Sequence, residues 1–110
     1  MDRIYNKLVR DKIPDIIKSN GETPIVKTLN VQEYKRELEK KLEEECREVI
    51  EASGGERVEE LADVLEILKA LALLENSNLD EIVTVADKKN SKRGAFEKRI
   101  FLERVVPNQR

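Results

Sequence analysis

The chain has no histidine among its 110 residues. That absence excludes a serine-histidine triad, a histidine-bearing zinc site and a histidine general base. Any acid, base or metal chemistry therefore falls to carboxylates. Cysteine is almost as scarce. Cys46 stands alone, so it has no intramolecular disulfide partner, and its apolar neighbours at helical spacing mark it as a small core residue rather than a nucleophile. No apolar run approaches the length of a membrane span, and the first 25 residues carry charge throughout, from Asp2 and Arg3 to Glu22. The expectation is a cytoplasmic protein with no membrane partner. Internal repeats and low-complexity segments are also missing.

What is present is charge. Charged residues make up 40% of a chain that fits one domain, residues 1–110, and a domain this small buries only a thin core, which favours association with another subunit. The net charge of −2 is unevenly spread. Residues 1–36 have 8 basic and 5 acidic groups (+3), residues 37–87 have 5 and 16 (−11), and residues 88–110 have 8 and 2 (+6). An acidic middle between basic ends suits a metal-bound polyanion better than a naked one.

The periodicity predicts a mostly α fold with short terminal strands. Pro14 suits the first turn of a short helix through Ile16 and Ile17, and Gly21 suits its end. Thr23 to Leu29 reads as a short strand. Asn30 followed by Glu33 is a capping-box signature, and Tyr34, Leu38, Leu42, Cys46 and Val49 then recur at helical steps until Ser53, Gly54 and Gly55 interrupt them. A second long helix is expected from about Glu56 to Leu74. The pair Asn78 and Glu81 caps another, which runs to about Arg93 and stops at Gly94. Phe96 to Val106, mixing aromatic and β-branched residues, reads as a second short strand.

Most of the acids fall on solvated faces, as Glu39, Glu43, Glu59 and Glu66 do. At 100° per residue, Glu45 falls about 60° from Leu42, inside the apolar stripe, and Glu48 and Glu44 fan outward from the stripe's edge. On the following helix Glu60 sits in a row with Val64, Ile67, Leu71 and Leu74, and Asp63 borders that row. Burying Glu45 and Glu60 as lone anions would cost several kcal/mol each, roughly, so something cationic is expected between the helices. Lys41 is the nearest candidate, but one lysine cannot balance Glu45, Glu48, Glu60 and Asp63. A divalent ion can, and all-oxygen ligation selects magnesium, with manganese as the alternative, over zinc.

The string Lys41-Leu42-Glu43-Glu44-Glu45-Cys46-Arg47-Glu48, followed by Glu59-Glu60-Leu61-Ala62-Asp63, resembles the E-E-x-x-E and E-x-x-D motifs of the all-α nucleotide pyrophosphatases. That superfamily holds the MazG proteins, the dimeric dUTPases and the phosphoribosyl-ATP pyrophosphohydrolases. The strings Tyr5-Asn6-Lys7-Leu8-Val9-Arg10-Asp11-Lys12-Ile13-Pro14 and Lys92-Arg93-Gly94-Ala95-Phe96-Glu97-Lys98-Arg99 look like those of a small MazG-like branch. The resemblance implies an all-α NTP pyrophosphatase-like helical bundle. It also implies hydrolysis of a nucleoside triphosphate substrate between the α and β phosphates, giving nucleoside monophosphate and pyrophosphate. By the same resemblance Glu45, Glu48, Glu60 and Asp63 bind magnesium, with Glu44 and Glu48 as the catalytic carboxylates and Glu44 placed to orient or deprotonate water. Glu60 follows Glu48 by only twelve positions, so an element that recognises the base does not lie in that loop.

Lys88, Lys92 and Arg93 near the end of the last helix either clamp phosphate or simply complement the helix terminus. Lys7 and Arg10 are further phosphate candidates, with a structural ion pair as the alternative. Three other readings compete: a phosphoribosyl-ATP pyrophosphohydrolase of histidine biosynthesis, a nucleic-acid-binding module using Lys88 to Arg99 with Phe96 and Phe101, and a structural helical oligomer. The acidic middle argues against a nucleic-acid partner. The second long helix has apolar rows over about 200° of its circumference, more than one neighbour covers, so a homodimer or a dimer of dimers is expected.

Overall fold

A computed structural model describes residues 2–109, and every described element is an α-helix: α1 Ile13–Ser19, α2 Val31–Glu51, α3 Gly54–Leu74 and α4 Leu79–Arg93. The chain divides into two compact units, Met1–Leu79 and Asp80–Arg110. None of the helices is long and apolar enough to cross a membrane.

Local chemistry sets the helix ends. In α1, Pro14 occupies the first turn, where its missing N–H costs nothing. The helix closes on Gly21 at φ +83°, where the Gly21 and Glu22 amides donate to the carbonyls of Lys18 (3.0 Å) and Ile17 (3.2 Å), a Schellman arrangement. α2 opens with a full capping box. The Glu33 amide donates to Asn30 Oδ1 at 2.9 Å, and the Asn30 amide donates to Glu33 Oε1 at 3.3 Å. α3 ends with Asn76 in the left-handed region and Ser77 N–H donating to the Ala72 carbonyl at 2.9 Å. α4 is closed by Gly94 at φ +81°.

α2 and α3 form an antiparallel hairpin linked only by Ala52 and Ser53. Arg57, in the first turns of α3, holds the link: its Nε donates to the carbonyls of Ala52 (2.8 Å) and Val49 (3.1 Å), satisfying acceptors that the end of α2 leaves open. The hairpin is the principal tertiary packing of the first unit, and its buried centre is Leu38 from α2 with Ile67 and Ala72 from α3. α3 therefore turns its Val64, Ile67 and Leu71 row inward. The other apolar row stays open, with Leu61, Leu65 and Leu68 exposed by 50%, 43% and 41%.

Three expectations need correction. Thr23 to Leu29 and Phe96 to Val106 form no strand, because neither segment has a neighbouring backbone with which to exchange ladder hydrogen bonds among the described residues. α3 begins at Gly54 rather than Glu56, so the two glycines belong to its first turn. Cys46 is exposed, not a core residue, since it lies on the far edge of the α2 stripe from the contact with α3.

Candidate metal centre

The two helices of the hairpin present their acids to each other. Glu45 on α2 and Glu60 and Asp63 on α3 each offer one carboxylate oxygen, and the three oxygens lie within 4.8 Å of one another. All three side chains are half-buried, whereas Glu48, which neighbours Glu60, and Glu44 are exposed. Glu39, Glu43, Glu59 and Glu66 point to solvent, as the helical periodicity predicts.

Charge inside this group is under-compensated. Lys41 Nζ approaches Glu45 Oε1 at 3.9 Å, one helical turn away, and Arg10 Nη2 donates to Asp63 Oδ1 at 2.8 Å. Two oxygens, Glu45 Oε2 and Glu60 Oε2, are buried with no hydrogen-bond donor. Carboxylates facing carboxylates have no donor to share unless one takes up a proton. Glu60 accordingly has its pKa pushed up to about 7, first by a hydrogen bond that only its protonated form makes with Glu48. Burial, the charge of Glu48 and the neighbouring Glu45 push in the same direction.

These residues fit a divalent cation. Four carboxylates, Glu45, Glu48, Glu60 and Asp63, face two cations, Lys41 and Arg10, which leaves two negative charges when all four acids are ionised. Magnesium oxygen distances of about 2.1 Å put opposite ligands about 4.2 Å apart. A spread of 4.8 Å therefore closes onto such an ion with a small side-chain adjustment. The two buried oxygens without donors are the acceptors that an ion would satisfy.

The other candidate residues divide between the units. Glu44 and Lys7 line a cleft beside α2 in the first unit. Arg10 sits at the acidic group itself, bonded to Asp63. Lys88, Lys92 and Arg93 are exposed on α4, nearly all of which lies in the second unit, and Lys92 and Arg93 form its basic last turn. One pairing and one residue escaped the sequence reading. The Arg10 to Asp63 pair spans 53 positions, and no periodicity runs through the N-terminal segment to reveal it. Lys40, also lining the cleft, was not singled out by the sequence; its place one turn before Glu44 was the available signal.

No family model matches the chain, and no solved structure matches it. A protein of Mycolicibacterium smegmatis (strain ATCC 700084 / mc(2)155), described only as uncharacterized, is 46% identical over 43 residues. That segment covers 39% of this chain and 44% of the relative.

Proposed function

We propose that the chain is a metal-dependent nucleoside triphosphate pyrophosphohydrolase, cleaving the anhydride between the α and β phosphates to give nucleoside monophosphate and pyrophosphate. The observation that carries this reading is the convergence of Glu45, Glu60 and Asp63 within 4.8 Å across the α2–α3 hairpin, two of them with a buried oxygen that lacks a donor. The motif resemblance supplies the reaction class.

Glu45, Glu48, Glu60 and Asp63 would hold magnesium, or manganese, which supplies Lewis acidity to the phosphate oxygens and to water. Glu44, exposed and next to Glu45 in the chain, accepts the proton of the attacking water as its oxygen adds to one phosphorus. The bridging P–O bond breaks, and its electron pair leaves with the departing phosphate fragment. Glu60 would have to give up its proton to serve as a ligand, because a protonated carboxyl is a poor one. Arg10 is positioned to exchange Asp63 for a phosphate oxygen, since its guanidinium fork suits either partner. The open leucine row of α3 supports a homodimer or a dimer of dimers, because the exposed Val58, Leu61, Leu65 and Leu68 follow the alternating three and four spacing of a helix-pairing seam.

The test is to incubate the full chain with a panel of nucleoside triphosphates and phosphoribosyl-ATP, with magnesium or with EDTA, and to identify the products. Magnesium-dependent pyrophosphate with a matching monophosphate is expected. Orthophosphate and nucleoside diphosphate as first products refute the bond assignment. Turnover confined to phosphoribosyl-ATP selects the histidine-pathway reading.

A further inference from the structure

The first unit also carries a half-open cleft of about 100 Å³ between its N-terminal segment and α2. Glu37, Lys40, Lys41 and Glu44 line it from α2, at the three- and four-residue spacings that place side chains on one helix face. Asn6 and Lys7 line it from the other side. Asn6 has φ +46°, in the left-handed region that asparagine tolerates better than most residues, and this bends the backbone at the cleft wall.

The lining has three ammonium groups against two carboxylates. Lys41 is partly committed to Glu45 at 3.9 Å. Lys7 and Lys40 have no carboxylate within salt-bridge distance among the described residues. Two uncommitted ammonium groups on a concave surface attract an oxyanion, to which each can donate up to three hydrogen bonds. Size narrows the choice. The cleft's volume of about 100 Å³ lies below the roughly 300 Å³ at which sites enclosing a drug-sized ligand begin. That suits a phosphate group better than an enclosed nucleoside. Lys41 joins this cleft to the acidic group, since the same side chain lines the one and pairs with Glu45 in the other.

We propose that the cleft is a phosphate subsite, in which Lys7, Lys40 and Lys41 receive the terminal phosphate of a polyphosphate whose remaining phosphates would be held through the carboxylates Glu45, Glu60 and Asp63. The assignment to a substrate phosphate rests on the pyrophosphohydrolase reading; the affinity for an oxyanion does not.

The probe is inorganic pyrophosphate, titrated into the full chain in EDTA and followed by calorimetry and phosphorus NMR. Wild type is expected to bind it. Lys7→Gln and Lys40→Gln should each weaken binding about tenfold, the loss expected for one charged hydrogen-bonding group, and Lys40→Arg should retain most of the affinity. Lys27→Gln, away from the cleft, reports the effect of net charge alone. With a nucleotide substrate, Lys40→Gln should raise KM far more than it lowers kcat. No binding by wild type in EDTA overturns the subsite, as does a loss in Lys40→Gln no larger than that in Lys27→Gln. Pyrophosphate binding that depends on Lys7 and Lys40, in a protein that hydrolyses no nucleotide, upholds the subsite and sinks the hydrolase reading. Magnesium-dependent hydrolysis with the lysine variants indistinguishable from wild type does the reverse.

Discussion

Lowering the pH from 8 to 6 is expected to weaken divalent-metal binding at the hairpin roughly tenfold through Glu60 alone. With its pKa near 7, Glu60 is about nine-tenths ionised at pH 8 and about one-tenth ionised at pH 6, and the ion must displace the proton wherever it is present. The same shift has a consequence for the metal-free protein. The folded pKa lies above the ordinary glutamate value of 4.5, so the native state binds more protons than the unfolded chain between about pH 4.5 and 7. Stability must therefore fall as pH rises through that window, with the destabilisation complete above about 7. Glu60→Gln removes the charge but keeps the shape and a hydrogen-bond donor. At pH 8 in EDTA this variant should melt above wild type, and it should gain nothing from manganese, whereas wild type should melt progressively higher as manganese is added. Calorimetric titration of manganese at pH 6, 7 and 8, paired with melting curves in EDTA, measures both effects. Manganese affinity that is flat across this range, or a Glu60→Gln variant that melts below wild type at pH 8 in EDTA, refutes the reasoning.

Arg10→Gln should have effects of opposite sign: tighter manganese binding without nucleotide, because Asp63 loses its competing cation, and a higher KM for nucleotide, and unchanged values of both in calorimetry and kinetics would count against its role. Asp63→Asn should lower turnover by roughly a hundredfold or more, since it removes a charged ligand from a preorganised site, and near-normal activity would sink the site assignment. Arg57→Ala should cost about 1 to 2 kcal/mol in urea melts, through carbonyls at the end of α2 that lose a charged donor, with metal affinity falling alongside. Leu65→Glu should convert a dimer to monomer in light scattering, by placing a charge in the open row of α3; a wild-type monomer at micromolar concentration with full activity would defeat the assembly argument.

The helices were legible because their ends are written in local chemistry. Asn30 with Glu33, Pro14, Gly21 and Gly94 each act within one turn, so a short window of sequence contains the whole cause. The inward acids were legible for the same reason. Glu45 and Glu60 break an apolar periodicity, and a glutamate in such a row needs an explanation wherever the partner helix lies. The pairing of Arg10 with Asp63 was hidden, since it depends on how a non-periodic segment folds back over the hairpin. The two strand expectations failed on the same kind of missing information. Residues such as Ile25, Val26 and Phe101 favour a pleated surface, but a strand exists only when a second backbone supplies its hydrogen bonds. Cys46 shows a subtler limit: an apolar stripe can be wider than the face that its neighbour covers.

The two-residue link between α2 and α3 bears on which changes of length the protein can accept. Glu60 and Asp63 reach the acidic group only because α3 enters its packing row at a set phase, and every residue added to or removed from the helix ahead of Glu60 rotates them by about 100° relative to Ile67 and Leu71. Arg57 restricts slack at the link by tying the start of α3 to the last carbonyls of α2. Single insertions or deletions between Ala52 and Glu60 should therefore be more damaging than most substitutions there, because they turn both acids off the shared face at once. Beyond Leu74, after the last packing position of α3, the chain can lengthen without disturbing that phase, which makes the connection to α4 the place where insertions are best tolerated.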